Sequence, residues 1–154
     1  MTMRISEEGK ISENIEKKKI QNVIEKGNYN QAEKLLQEYK EKFTAYDDLI
    51  AIFDAGIGDY YGDRGRVWES IRKGLMFNSR NYELYVMLGN YYLSENMYQS
   101  YLCYENALFY CDNLEDKDKI RQLLYQLMDQ YKISVSKTAI IVLSKNSLKF
   151  TKIC

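Results

Sequence analysis

The side chains with the strongest intrinsic chemistry in this sequence are three cysteines and one acidic triplet. A cysteine thiolate can act as a nucleophile or bind a metal, but Cys103, Cys111 and Cys154 have no Cys-x-x-Cys spacing. The chain has no histidine, which is the commonest general base and metal ligand. The Asp-Lys-Asp triplet at 116–118 opens a helical pattern, where carboxylates favour the helix dipole. The sequence therefore predicts no catalytic residue, no metal site and no cofactor.

Composition limits the class of protein further. Lys plus Arg and Asp plus Glu are equal at 22 each, which argues against a dedicated nucleic-acid binder or a polybasic membrane anchor. No apolar run approaches the roughly 18 residues of a membrane span, and the first residues are too charged for a signal peptide. The 154 residues, 45% of them hydrophobic, are enough for one domain with a proper core. We therefore expect a cytoplasmic protein with no membrane span and no nucleic-acid partner.

The stretch from Leu84 to Ala107 predicts two helices packed face to face. Its first half places large and small residues on one helical face, and its second half does the same with Ser100, Tyr104 and Ala107. Gly89 lies on the apolar face of the first helix, where the absence of a side chain lets a neighbouring helix approach closely. The face of the first helix comprises Tyr85, Leu88, Gly89 and Tyr92.

This arrangement recurs along the chain with a period of about 34 residues. Gly27 and Gly62 are equivalent turn residues 35 apart, with Gly65 assigned to the second turn as well, and Ala55 and Gly89 are equivalent crossing positions 34 apart. Ala32, Val67 and Ser100 are the equivalent residues near the start of the three second helices. Asp47 and Asp48 are expected to cap the third helix. After the last pair comes an amphipathic helix, whose apolar face comprises Ile120, Leu123, Leu124 and Leu127. The sequence predicts three helix pairs and a capping helix.

The pattern aromatic-x2-Leu-Gly-x2-Tyr at 85–92, followed by small-x3-aromatic at 100–104, resembles the tetratricopeptide (TPR) repeat. The resemblance implies an all-α, TPR-like α-α superhelix of three helix pairs plus a C-terminal capping helix, over residues 13–132. Residues 1–12 lack apolar periodicity and are expected to form a disordered lead-in.

The resemblance also implies a concave groove that binds a protein or an extended peptide. By TPR position, first-helix residues face this groove, and Asn90 is similar to the asparagine that many TPR proteins use to hold a ligand backbone. The alternative is that these residues simply meet water. The expected groove residues are Lys17, Gln21, Ile52, Gly56, Tyr60, Val86, Asn90 and Leu93.

The composition changes over 133–154, where a short linker precedes an apolar run without alternation. Such a run, Ile140 to Leu143, is typical of a strand buried in a parallel sheet. With the Ser144, Asn146, Ser147, Thr151 and Cys154 that follow, it resembles the start of the GT-A domain of family 2 glycosyltransferases. The resemblance implies that Ser144 and Asn146 lie near a nucleotide-sugar, although Lys145 stands where the family usually has tyrosine. The alternative is a loose tail or a strand added elsewhere, which can pair with a second copy to form a homo-oligomer.

Two functions follow from these patterns. The first is a non-catalytic interaction scaffold, the N-terminal part of a glycosyltransferase. The second is a part of an enzyme that transfers sugar from a nucleotide-sugar donor, with this chain lacking the catalytic residues.

Overall fold

A computed structural model describes the backbone of residues 2–134 and the side chains of residues 7–130. All regular structure in this range is helical, which confirms the all-α prediction, and no strand occurs between residues 2 and 134. Residues 133–134, where the predicted linker begins, belong to the last helix, and the rest of the predicted linker and strand, at 135–154, lies outside the described residues. The helices are α1 (Thr2–Glu25), α2 (Tyr29–Lys42), α3 (Asp48–Tyr60), α4 (Arg64–Phe77), α5 (Tyr82–Tyr92), α6 (Met97–Tyr110) and α7 (Leu114–Ser134).

Helix α1 begins at Thr2, so the structure differs from the expected disordered lead-in over 1–12. The lead-in has no apolar stripe, but it has no proline either, and its glutamates and lysine favour helix. An ion pair between Glu13 and Lys17, one turn apart with N···O of 3.0 Å, supports the helix just after this segment. The absence of apolar periodicity therefore did not mark a helix boundary here.

The turns between paired helices repeat as the sequence predicts. Gly27 and Gly62 both adopt positive φ, at 76° and 71°, which other residues rarely tolerate. Each is followed by a residue whose side chain accepts a hydrogen bond from the backbone N–H three residues later. These two capping residues are Asn28 and Asp63. Asn96 makes the same capping hydrogen bond in the third pair, where it follows Glu95 and not a glycine. Gly65, expected in the second turn, lies instead within the first turn of α4.

Helices α1 to α4 form the first of two compact units. Helix α1 packs against α2 and α3, α2 packs against α3, and α3 packs against α4. Ala32, predicted near the start of the second helix, and Ala55, a predicted crossing residue, are fully buried. The core is made of the fully or almost fully buried residues Ile20, Ala32, Leu36, Tyr39, Ile50, Phe53 and Ile57.

Helices α5, α6 and α7 form the second unit. Ser100 Oγ donates a 2.7 Å hydrogen bond to the carbonyl oxygen of Gly89, and the Tyr104 ring lies directly over that glycine. This contact confirms the predicted close approach of α5 and α6. The apolar face predicted for the last helix is also confirmed, because Ile120, Leu124 and Leu127 are buried against α6.

Among residues 2–134, no helix is both long enough and apolar enough to cross a lipid bilayer.

The close approach of α5 and α6 makes Gly89 sensitive to substitution. A Cβ at position 89 would lie 2.4 Å from Tyr104 Cε1, so the ring must move. We expect Gly89→Ala to lower the free energy of unfolding by about 1–3 kcal/mol, the usual cost of overpacking. Urea denaturation followed by circular dichroism measures this change.

Gly56→Ala is the matched control. A Cβ at position 56 has no atom within 4 Å, and alanine favours helix by about 1 kcal/mol over glycine. This variant is expected to be at least as stable as the parent. Equal stability of the Gly89→Ala and Gly56→Ala variants would contradict the packing of Tyr104 on Gly89.

Candidate interaction surface

Helix α3 has one buried side and one open side. Ile52, Gly56 and Tyr60 lie four residues apart on the open side, where Ile52 and Gly56 are half-buried and Tyr60 is 56% exposed. Phe53 and Ile57, one position further along the helix, are buried in the core. Because Gly56 has no side chain, the open side has a gap between Ile52 and Tyr60.

Helix α1 runs beside α3 in the same direction. Lys17 pairs with Asp47, which precedes α3, and Tyr29, just beyond the end of α1, stacks on Tyr60 at the end of α3. Gln21 lies one turn after Lys17, is exposed, and donates a 3.1 Å hydrogen bond to Glu25. We use the term α1/α3 face for the surface formed by Gln21, Ile52, Gly56 and Tyr60.

Lys17, predicted to face a ligand, is held inside the first unit. Its ammonium group contacts the carboxylates of Glu13 and Asp47, and Asp47 Oδ1 accepts a 3.0 Å hydrogen bond from Ile50 N. Asp47 thus caps α3, as predicted, and Lys17 joins α1 to that cap. Burial alone would lower the pKa of Lys17, but the hydrogen bonds with Asp47 and Glu13 raise it above the ordinary value.

Tyr39 of α2 completes this network. Its hydroxyl donates a 2.9 Å hydrogen bond to Glu13 Oε1. Burial, together with this bond to a carboxylate, raises the pKa of Tyr39 to about 12. The pKa of Glu13 is lowered, mainly by its hydrogen bond with Lys17. Three helices are joined here by side chains that are satisfied within the fold.

The α1/α3 face ends in three tyrosine rings. Tyr29 and Tyr60 are stacked, with centroids 4.4 Å apart and planes inclined by 13°. Tyr61 meets Tyr60 nearly at a right angle, with centroids 5.2 Å apart and planes inclined by 77°. The Tyr61 hydroxyl donates a hydrogen bond to Asn30 Oδ1. We call Tyr60 and Tyr61, both about half exposed, the aromatic corner.

The remaining predicted groove residues belong to the second unit. Val86 is half-buried against that unit's core, and Leu93 lies at the end of α5 with 40% of its surface exposed. Asn90 is exposed, and its Oδ1 accepts a hydrogen bond from the Tyr104 hydroxyl. The amide oxygen predicted to hold a ligand backbone is therefore engaged within the unit.

A buried carboxylate that the sequence analysis did not single out lies behind the α1/α3 face. Asp54 of α3 is only 5% exposed, and its oxygens accept hydrogen bonds from Lys40 Nζ at 2.8 and 2.9 Å. Arg66 of α4 donates to Asp54 Oδ1 from Nη2 at 2.8 Å and from Nε at 3.2 Å. The Tyr46 hydroxyl lies 3.2 Å from Asp54 Oδ2. Burial, with the nearby Asp54 charge, raises the pKa of Tyr46.

Arg66 extends this network to α2. Its guanidinium group binds both carboxylate oxygens of Glu33, at 2.7 and 3.1 Å. The Arg66 stem crosses Gly58, where a Cβ would lie 3.2–3.3 Å from three of its carbons. The network contains two acidic and two basic side chains, so it has no net charge. Its ion pairs join α2, α3 and α4. In the sequence, the one sign of this buried network is an aspartate in the otherwise apolar stretch 49–58.

The residues with possible metal or thiol chemistry have structural surroundings. Asp116 accepts a 2.6 Å hydrogen bond from the Tyr82 hydroxyl, and Asp118 pairs with Arg121 at 3.0 Å. Cys103 and Cys111 are buried, and the Cys111 thiol donates a 3.4 Å hydrogen bond to the carbonyl oxygen of Asn113. Over the described part of the chain, no cluster of three or more acidic or cysteine side chains is arranged to hold a metal.

Comparisons of the chain with protein-family models, with curated proteins and with solved structures found no match. Ser144 and Asn146, which carry the expected nucleotide-sugar contact, lie outside the described residues. The TPR and glycosyltransferase resemblances therefore stay predictions from sequence.

The Asp54 network gives a stability prediction. Asp54→Ala leaves Lys40 and Arg66 without their shared carboxylate, and the Arg66 side chain is only 22% exposed. We expect the free energy of unfolding to fall by roughly 2–4 kcal/mol, measured by urea denaturation. Asp59→Ala changes the same residue type at the exposed end of the same helix and should cause no loss, because a carboxylate there opposes the helix dipole. Similar stabilities of the two variants would show that the network does not hold the helices together.

The raised pKa of Tyr39 gives a pH prediction. The folded state keeps the Tyr39 proton up to about pH 12, whereas the unfolded chain loses it near pH 10, its usual value. In this window the folded state binds more protons, so the free energy of unfolding must fall as pH rises, by at most about 1.4 kcal/mol per pH unit. Urea titrations between pH 9 and about 11 should show a shallower fall for Tyr39→Phe. An equal slope in the two proteins would contradict the assigned surroundings of the hydroxyl.

Proposed function

We propose that this chain is a TPR-like helical scaffold that binds an extended segment of a protein partner. The observation that carries the proposal is the open side of α3, set against its buried side. The same helix provides core residues on one side and, on the other, a half-buried isoleucine, a glycine gap and an exposed tyrosine. Regular turns and caps at residues 27–28 and 62–63 further support a repeat architecture.

The chemistry of the α1/α3 face suits a peptide better than a small metabolite. Ile52 and the ring of Tyr60 provide apolar contact, and the gap at Gly56 has room for a side chain of the partner. Gln21 offers an amide that can exchange hydrogen bonds with a peptide backbone. The Lys17 and Asp54 networks hold α1 and α3 in place before a partner arrives, which reduces the ordering cost of binding.

The experiment is selection from a random peptide library displayed against the full chain, followed by affinity measurement on the enriched peptides. We expect a recurring sequence that binds in the micromolar range or tighter. Gly56→Gln fills the gap and should weaken binding by at least about tenfold, equivalent to roughly 1.4 kcal/mol.

Gly65→Gln is the control. It adds the same side chain to a helical glycine in the first turn of α4, where a Cβ has only an ordinary 3.7 Å contact with Asp63. This variant should bind the selected peptides as the parent does. Failure to enrich any sequence, or equal binding by the two variants, would overturn the proposed function.

A further inference from the structure

Each ring of the aromatic corner has a contact within the first unit. The Tyr60 ring is fixed by stacking on Tyr29, and the Tyr61 ring is fixed by the hydrogen bond from its hydroxyl to Asn30. The two rings meet at 77°, yet 56% of Tyr60 and 49% of Tyr61 stay exposed. The two rings contact each other edge to face, and their exposed parts together form one aromatic surface.

The charges beside the corner favour a cation. The exposed charged residues of the two neighbouring turns and helix ends are Glu25, Lys26, Asp59, Asp63 and Arg64, so carboxylates outnumber cations. Asp59 directly precedes the two tyrosines at the carboxyl end of α3, where the helix dipole adds further negative potential. Aromatic faces also carry negative potential.

We propose that the aromatic corner binds the cationic side chain of a lysine or arginine in the partner segment. An arginine or lysine head placed against Tyr60 and Tyr61 gains cation–π attraction, and the Asp59 carboxylate can pair with it. A proline or another neutral apolar group would contact the same rings but would gain nothing from the carboxylate. This inference builds on the proposed function by defining the partner as a basic segment.

The direct test uses small probes on the full chain. N-acetyl-arginine N-methylamide and N-acetyl-lysine N-methylamide are titrated while the ring resonances of Tyr60 and Tyr61 are followed by NMR. The neutral isosteres with citrulline and norleucine, and the proline analogue, are titrated in the same way. We expect the two cationic probes to shift these resonances with saturation in the millimolar range and the neutral probes to leave them unshifted. Equal shifts with the neutral or proline probes would overturn the inference.

Variants separate the ring from the rest of the surface. Tyr60→Phe keeps the π face and should retain binding of the arginine probe, whereas Tyr60→Leu and Asp59→Asn should each weaken it, by about fivefold for the lost ring. Tyr125→Leu removes a tyrosine that is 68% exposed on α7 and should have no effect. Circular dichroism establishes that each variant keeps its helical content, and unchanged probe affinity in folded Tyr60→Leu would overturn the inference.

The two proposals fail in different ways. Selected peptides that depend on Gly56 but contain no required lysine or arginine would refute the basic partner and leave the scaffold intact. Cationic probes that bind the corner, with no peptide enriched by the library, would refute the scaffold and leave the cation site intact.

Discussion

The first unit depends on one buried carboxylate, that of Asp54. A charge at 5% exposure is tolerated only when it is paired, and here Lys40, Arg66 and the Tyr46 hydroxyl surround it. These partners come from α2, α4 and the loop before α3, so the carboxylate is satisfied only when all of these segments are in register. Apolar contacts alone permit helices to slide, whereas a shared ion pair specifies one arrangement.

Both units use a glycine to bring helices together, but they place different groups over it. In the second unit Gly89 accommodates the ring of Tyr104 and shares its carbonyl with Ser100. In the first unit Gly58 accommodates the stem of Arg66. A tyrosine ring fills the space with apolar surface, while an arginine stem delivers a charge to the interior. The same local rule therefore gives an apolar crossing in one unit and an ionic crossing in the other.

Features that depend on neighbours in sequence could be predicted, and features that depend on partners across helices could not. The turn at Gly62, the cap at Asp47 and the apolar face of α7 follow from local chemistry and periodicity, and each is observed. The roles of Lys17 and Arg66 depend on which carboxylates the packing brings near them, which spacing along one helix does not specify. The ion pair of Lys17 with Asp47 is one such contact that the sequence did not predict.

The division of α3 into two sides explains how one helix can provide both stability and recognition. Residues that secure the fold, such as Phe53 and Asp54, face neighbouring helices, and the α1/α3 face uses other positions of the same helix, such as Gly56 and Tyr60. Because the Tyr39–Glu13–Lys17 and Asp54 networks satisfy their own polar groups, the ion pairs that join these helices need no side chain from the open side. Its side chains are free to be chosen for a partner, and a change there need not disturb the helices that support it.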